Sequence, residues 1–312
     1  WLNTQKNECF FINIINNNYI IIDMNGIIIV NQEIGHNVYK IKRLKEEFDL
    51  LNVKVDVLVN NGLLARIENN NVVVNVPKAD FIIYLDKDIY LAKLLEKQGF
   101  HLFNKADFMK MCDDKTLTSI ECANKDIPMP LTYAAPLVYS TTTNIHYEFL
   151  DEIIEKLGFP MVVKKVYGSL GEGVFLVNNK EELINLYKEI CHSPILFQKY
   201  IASSKGQSVR VLVIDGKPFG AFRRINKQDF RSNYGESAGG AKIENNQKYL
   251  KFAQIIADKL KIKYAGIDLM DDEDGNPILC EINSNAFFEE FEKITGLNAA
   301  KAYCEMIIKE CK

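Results

Sequence analysis

The sequence predicts a protein of mixed α/β and α+β class, built from two or three structural units. Short apolar strands alternate with a helix in the first hundred residues, which indicates an α/β module. A glycine-rich hairpin follows in the middle of the chain, and two further hairpins with Asp-Gly turns follow in the last third. With 312 residues, 47% hydrophobic and 25% charged, the chain can bury a sizeable core.

Charge and apolar patterning exclude two classes of partner. The formal net charge of −3 argues against a protein that binds the phosphate backbone of nucleic acid. The apolar stretch around residues 19–30 is interrupted by Asp23 and Asn25, so it falls short of the roughly 20 residues that a membrane span needs. No signal segment opens the chain, which starts at Trp1, and we expect a cytoplasmic protein that binds neither membrane nor nucleic acid.

Local signals set the first elements in order. Residues 81–85 predict a strand and residues 88–98 a helix, closed by Gly99 where a left-handed cap is common. Residues 113–116, D-D-K-T, predict the start of another helix, with acidic residues at its positive end. The prolines of residues 127–132 exclude a helix there. A linker over residues 134–146 then leads to a helix that ends at Gly158.

Residues 160–177, P-M-V-V-K-K-V-Y-G-S-L-G-E-G-V-F-L-V, predict a strand, a glycine turn and a second strand. A helix follows, which Asn179 and Glu182 begin as a capping-box pair. Dinucleotide fingerprints and Walker loops need glycines that run from a strand into a helix, so this context excludes both.

The glycine turn instead predicts a flap that can lie against phosphates. Gly168, Gly171 and Gly173 carry no side chain, so their backbone can approach a phosphate closely. Lys164, in the preceding strand, would aim its ammonium at the same phosphates, whereas Lys165 faces the opposite side and is expected to be solvated. The alternative is a flexible hairpin whose glycines are incidental.

The next hairpin turns at Asp215-Gly216 and carries two consecutive arginines on its second strand. Alternation sends Arg223 and Arg224 to opposite faces, so one of them is expected to be an exposed strand-face arginine. The other can hold phosphate or developing negative charge, as can Arg231 in the D-F-R-S-N segment that follows.

The last hairpin, over residues 264–283, predicts a cation site. Centring its turn on Asp274-Gly275 places Asp268 opposite Glu281, where two like charges are destabilising unless something neutralises them. Asn283 lies on the same face and Gly266 opposite it leaves room, a set of oxygen ligands that suits Mg²⁺. Two alternatives remain: an exposed pair on a solvated face, or a three-residue turn that shifts the register by one and separates the acids.

Seven cysteines with no C-x-x-C pair predict reduced thiols rather than a metal or disulfide framework. Cys280 alternates with Glu281 on its strand, so we expect it to face the other way, into the core.

In combination, the motifs resemble the ATP-grasp superfamily and, within it, the RimK-type glutamate ligase branch. The resemblance runs from Asp113 to the end of the chain and rests on D-D-K-T, V-V-K, G-S-L-G-E-G-V, F-Q-K-Y-I, S-V-R-V-L-V, F-R-R, D-F-R-S-N, A-G-I-D, C-E-I-N-S-N-A and F-E-K-I-T-G. It implies an ATP-grasp fold, two α+β subdomains that clamp ATP, at residues 113–196 and 197–312. An N-terminal α/β pre-ATP-grasp domain at residues 1–112 would precede them.

The resemblance also implies roles for individual residues. Those at the phosphates and nucleotide would be Lys115, Lys164, Gly168, Ser169, Gly171, Gly173, Arg231, Ser232 and Asn233. Gln198, Lys199 and Tyr200 would meet the adenine, largely through backbone groups, and Ser208 the ribose. Asp268, Glu281 and Asn283 would hold Mg²⁺, or Mn²⁺ in its place, and Arg224 and Arg231 would be catalytic. Two positions depart from the family pattern, because Ser208 stands where an acid is usual and Lys199 where Glu is usual.

The reaction implied is the ligation of a carboxylate to an amine with release of ADP and phosphate. The expected substrates are ATP, glutamate or a similar amino acid, and a carboxylate acceptor that is a small molecule, a peptide or a protein tail, and relatives often form homo-oligomers. Two alternatives stay open: another ATP-grasp ligase of dipeptide, D-alanine or lysine-pathway type, and an ATP-binding module without turnover.

Overall fold

The computed structural model describes residues 24–33 and 35–312, so the first 23 residues of the predicted N-terminal unit lie outside the described residues. The first sheet is parallel, in the order β2-β1-β5-β6. Its strands are β1 (Asn25–Val30), β2 (Lys54–Val59), β5 (Phe81–Tyr84) and β6 (Leu102–Phe103). A small hairpin of β3 (Ala65–Glu68) and β4 (Asn71–Val74) lies beside it. Helix α1 (His36–Leu50) packs on one face, and α2 (Ile89–Lys97) and α3 (Ala106–Asp113) pack on the other.

The helix starts and stops in this part of the chain follow the predicted signals. Asp88 caps α2 by accepting a hydrogen bond from the Leu91 N–H at 3.0 Å, and Gly99 follows the helix with φ +101°. Asp114 caps α4 (Lys115–Cys122) in the same way, accepting from the Leu117 N–H at 2.8 Å. The predictions of a strand, a helix and a second helix start are therefore confirmed to within a residue or two.

The second sheet is antiparallel, in the order β7-β10-β8-β9. Its strands are β7 (Thr132–Ala134), β8 (Met161–Lys165), β9 (Val174–Val177) and β10 (Ile195–Lys199), and α5 (Phe149–Leu157) and α6 (Lys180–Ile190) share its apolar core. The Glu182 N–H donates to Asn179 Oδ1 at 2.9 Å, which starts α6 as predicted. The proposed boundary at residue 196 falls inside β10.

The third sheet is antiparallel, in the order β13-β12-β11-β14-β15. Its strands are β11 (Gln207–Ile214), β12 (Lys217–Asn226), β13 (Ala238–Lys242), β14 (Tyr264–Asp271) and β15 (Pro277–Asn283). Helix α7 (Gln247–Leu260) covers one face, and α8 (Glu289–Thr295) and α9 (Ala299–Cys311) pack on the other in one core with α1 and the first sheet. Within the described ranges, no helix is both long and apolar enough to cross a bilayer.

The register of the last hairpin confirms the predicted facing of the acids, by a different route. Asp268 pairs with Glu281. Nearer the turn, however, Asp271 pairs with Pro277, so the strands start one residue out of the predicted register. The register shifts again between Leu269 and Asp268, at a bulge where Cys280 has no partner of its own, and this restores the predicted pairing. The prediction that Cys280 faces the core is wrong, because the bulge turns it to the same side as Glu281, where both line a cavity.

Candidate functional site

Two cavities meet beneath the β8–β9 hairpin. We call the smaller one, of about 120 Å³, the flap cavity; it lies between the hairpin and the third sheet. The larger one, of about 820 Å³, is the wide cavity, which extends from the same hairpin to the C-terminal ends of β5 and β15. Six residues line both cavities: Gly168, Ser169, Leu170, Ser232, Asn233 and Glu281.

Cations hold the flap at its base and near its tip. The Lys115 ammonium donates to the carbonyl oxygens of Val166 at 3.2 Å and Gly168 at 3.0 Å. The Arg231 guanidinium donates to the carbonyls of Gly171 at 2.9 Å and Val174 at 3.2 Å. These contacts hold the backbone of the glycine turn between β8 and β9, the segment that was predicted to lie against phosphates.

Arg231 is itself held in place, since its Nε and Nη2 donate to the two carboxylate oxygens of Asp229. Hydrogen bonds from Arg231 lower the pKa of Asp229, so the pair is ionic at neutral pH. The face of the Tyr234 ring lies 3.3 Å from the guanidinium. Four of the five N–H donors of Arg231 are thus engaged, and its predicted catalytic role stays a prediction.

The flap cavity brings together most of the residues expected at the nucleotide. Lys164 donates to Gln198 Oε1 at 2.7 Å, which leaves two N–H donors on its ammonium. The Ser208 hydroxyl, predicted to meet the ribose, lies 2.7 Å from the Ser232 hydroxyl, so the two form a hydroxyl pair in the cavity lining. The remaining lining residues from the predicted set are Lys115, Gly168, Ser169, Gly171, Lys199, Tyr200, Arg231, Asn233, Asp268 and Glu281.

Gly173 is the predicted flap residue that does not line either cavity. It has φ +69°, and a Cβ there would lie 3.0 Å from Cβ of Lys165. Gly173 is therefore needed for the backbone conformation and for the packing of the hairpin on itself. Lys165 is half-buried against it rather than fully solvated as expected.

Two arginines neutralise Asp268, which is only 4% exposed. Arg210, opposite it on β11, donates to both carboxylate oxygens through Nε and Nη2. Arg224 Nη1 donates to Oδ2 at 3.2 Å. Burial alone would raise the pKa of Asp268, but the two guanidinium groups outweigh it and hold that pKa below its ordinary value.

Repulsion between Asp268 and Glu281 is therefore not a reason to expect a cation, because Arg210 already offsets the charge of Asp268. Arg210 was not among the predicted site residues, and its only signal in the sequence was its place in S-V-R-V-L-V. The predicted alternation is confirmed, since Arg224 lines the wide cavity while Arg223 contacts Tyr249 on the other face.

A divalent cation fits Glu281 and Asn283 better than Asp268. The two Asp268 oxygens together accept four N–H groups, one of them from Asn283 at 3.1 Å. Among the described residues, no side chain donates to the Glu281 carboxylate, and the Asn283 Oδ1 also has no donor. No cluster of three His, Cys, Asp or Glu suited to a metal occurs in the part of the chain that the structure describes. Any cation here would complete its coordination with amide, phosphate or water oxygens.

The flap, the cation-lined cavity beneath it and the two flanking antiparallel sheets are the parts of an ATP-grasp fold. The RimK domain ATP-grasp protein from Sphaerobacter thermophilus shares the fold, with a TM-score of 0.68 over 91% of this chain and 99% of that one, at 17% identity. The chain belongs to the RimK-like ATP-grasp family, whose domain profile matches residues 116–307.

Two relatives have named activities. The chain is 34% identical over 274 residues to beta-citrylglutamate synthase B of Mus musculus, covering 84% of this chain and 69% of the relative. It is 32% identical over 222 residues to a probable alpha-L-glutamate ligase of Legionella pneumophila, covering 70% of each. The protein is thus an ATP-dependent ligase of the RimK type, which forms carbon–nitrogen bonds.

Proposed function

We propose that the protein joins the carboxylate of an acceptor to the amine of glutamate or a similar amino acid, with release of ADP and phosphate. The observation that carries this proposal is the junction of the two cavities, where Glu281 and the flap tip line both. A nucleotide whose phosphates lie under the flap would present its terminal phosphate at this junction. A carboxylate in the wide cavity would meet it there.

The chain's own cations suit each half of the junction. On the flap side, Lys164 keeps two N–H donors and Lys115 keeps one, and both side chains line the cavity where the phosphates would lie. On the other side, Arg224 is 14% exposed and uses one N–H on Asp268, so it can hold the acceptor carboxylate through its remaining donors. Asp268 keeps Arg210 and Arg224 oriented.

The proposed reaction has two steps. An acceptor carboxylate oxygen attacks the terminal phosphorus of ATP, the bond from that phosphorus to the bridging oxygen breaks, and ADP leaves. The amine nitrogen then attacks the acyl carbon, the bond from that carbon to the phosphate oxygen breaks, and phosphate leaves as the amine loses its proton. Glu281 and Asn283 would hold Mg²⁺, or Mn²⁺ in its place, and the bound ion would supply positive charge to the phosphate oxygens.

The experiment follows ADP release with Mg-ATP, a panel of amino acids and a panel of small carboxylates and short peptides. Mass spectrometry identifies a product heavier than the acceptor by one amino acid less water. Glu281→Gln should abolish turnover. It should keep the wild-type melting temperature, because no side chain among the described residues donates a hydrogen bond to the Glu281 carboxylate. Glu273→Gln, in the exposed turn, is the matched control. Release of AMP and pyrophosphate, or normal turnover by Glu281→Gln, would overturn the proposal. Saturable Mg-ATP binding with no ADP from any pool would favour the binding module.

A further inference from the structure

A lysine of the first structural unit is buried against the segment that follows the proposed cation ligands. Lys40, on α1, has no solvent exposure. Its ammonium donates to Asn285 Oδ1 at 2.7 Å, the Ala286 carbonyl oxygen at 2.8 Å and the Tyr264 hydroxyl at 3.2 Å. Burial lowers the pKa of Lys40 well below its ordinary value.

The hydrogen-bond geometry indicates that Lys40 is nonetheless protonated. The Tyr264 hydroxyl donates its own proton to the Ala286 carbonyl at 2.6 Å, so its oxygen acts as an acceptor toward Lys40. All three Lys40 partners are then acceptors, and only an ammonium has three N–H donors. The rings of Tyr264 and Phe288, with centroids 5.0 and 4.8 Å from Nζ, offset part of the cost of burying the charge.

A second contact from the same unit reaches the same segment. The Asn104 amide, just beyond β6, donates to the carbonyl oxygens of Ser284 at 2.6 Å and Tyr264 at 3.1 Å. Residues 284–286 follow Asn283 directly and line the wide cavity. The first structural unit thus holds a wall of that cavity through two side chains, neither of which lines it.

We propose that Lys40 is a positioning residue that, with Asn104, fixes residues 284–286 so that the wide cavity accepts the carboxylate substrate. This inference rests on the proposed function for its kinetic readout alone. Lys40 touches no proposed ligand of nucleotide or metal, so its effect should fall on the acceptor and leave Mg-ATP binding unchanged.

The test compares Lys40→Met, which keeps the length and apolar stem of the side chain, with Lys45→Met, an exposed lysine on the same helix. Lys40→Met removes a charged donor from Asn285 and the Ala286 carbonyl, so it should raise the acceptor KM about tenfold or more, with the Mg-ATP KM unchanged. Amide exchange of the peptide spanning residues 283–288 should become faster. Lys45→Met should change neither.

Asn285→Ala, which removes one Lys40 partner, keeps the test decisive if Lys40→Met folds poorly, because Asn285→Ala alone should raise the acceptor KM and speed exchange at residues 283–288. Where Lys40→Met folds, the double variant should be less impaired than the product of the two single effects. Unchanged exchange at residues 283–288, or equal rises in both KM values, would overturn the inference. If the wild type forms no product with any acceptor, the proposed function fails, while the exchange measurement still decides whether Lys40 positions the segment.

Discussion

Removal of Arg210 should expose how much of the stability depends on the buried ion pair of the third sheet. Arg210 and Asp268 are 6% and 4% exposed, and the contact is bidentate. Breaking one side of such a pair costs about 3–5 kcal/mol, because the other charge stays buried. Arg224 and Asn283 still donate to Asp268, so we expect Arg210→Leu to cost about 3 kcal/mol, at the low end.

The assay is urea unfolding of Arg210→Leu beside Arg223→Leu, whose guanidinium lies on the other face and is 27% exposed in its ion pair with Asp271. The control should lose at most about 1 kcal/mol. The double variant Arg210→Leu/Asp268→Asn should recover part of the loss, because no buried carboxylate is then left without Arg210, and Arg224 still has Glu290 at 3.9 Å. A loss in Arg210→Leu no larger than that of the control would refute the reasoning.

The pH dependence of this deficit has a definite sign. The folded-state pKa of Asp268 is lowered, so its contribution to stability is present above its unfolded value of about 3.9 and is lost as pH falls through the folded value. In Arg210→Leu the main lowering interaction is gone and that contribution is smaller from the start. The difference between the two proteins should therefore shrink as the pH falls from 7 toward and below 4, and a constant difference would contradict the assignment.

Three further predictions concern the flap and the buried lysine. Saturation with Mg-ATP at 100 times its Kd should add about 2.7 kcal/mol of apparent stability and raise the melting temperature. Lys164→Met should lose most of that rise, and Lys165→Met should keep it. Equal losses in the two variants would place Lys164 outside the nucleotide site. Arg231→Leu removes two hydrogen bonds to flap carbonyls, each worth about 1.5–3 kcal/mol when the donor is charged. Protease Glu-C should then cleave after Glu172 about tenfold faster or more. Unchanged cleavage would contradict the role of Arg231 in holding the flap. The folded-state pKa of Lys40 lies below its unfolded value of about 10.4, so the unfolded chain binds more protons between the two values and the wild type gains stability as pH rises there. The unfolding free energy of Lys40→Met relative to wild type should then fall between pH 7 and 10, and a constant difference would contradict a lowered pKa for Lys40 in the folded state.

The sequence was informative where the signal is local. The caps at Asp88 and Asp114, the glycine flap and the Asp215-Gly216 turn depend on neighbouring residues, and each is found where it was predicted. Strand alternation was enough to separate Arg223 from Arg224. The pairing of Asp268 with Glu281 was also predicted, although it depends on a bulge at Cys280 that was not predicted.

What the sequence did not predict depends on contacts between distant segments. Arg210 meets Asp268 because β11 pairs with β14, and no turn fixes that pairing. The neighbours of Lys40 in the sequence do not distinguish it from an exposed helix lysine, because its partner Tyr264 lies 224 residues away. Cys280 was assigned to the wrong face because alternation fails at a bulge, and nothing in its neighbours marks one.

The bulge at Cys280 also separates the turn of the last hairpin from the proposed cation ligands of the same hairpin. The turn and the strand ends beside it lie on one side of the bulge, and Glu281 and Asn283 lie on the other. Asp274 and Gly275 are exposed at the tip, so residues inserted there would extend into solvent and leave the pairing beyond the bulge unchanged. This tip is therefore a suitable place to insert a short tag or a fluorescent label, on the same hairpin as the proposed cation ligands.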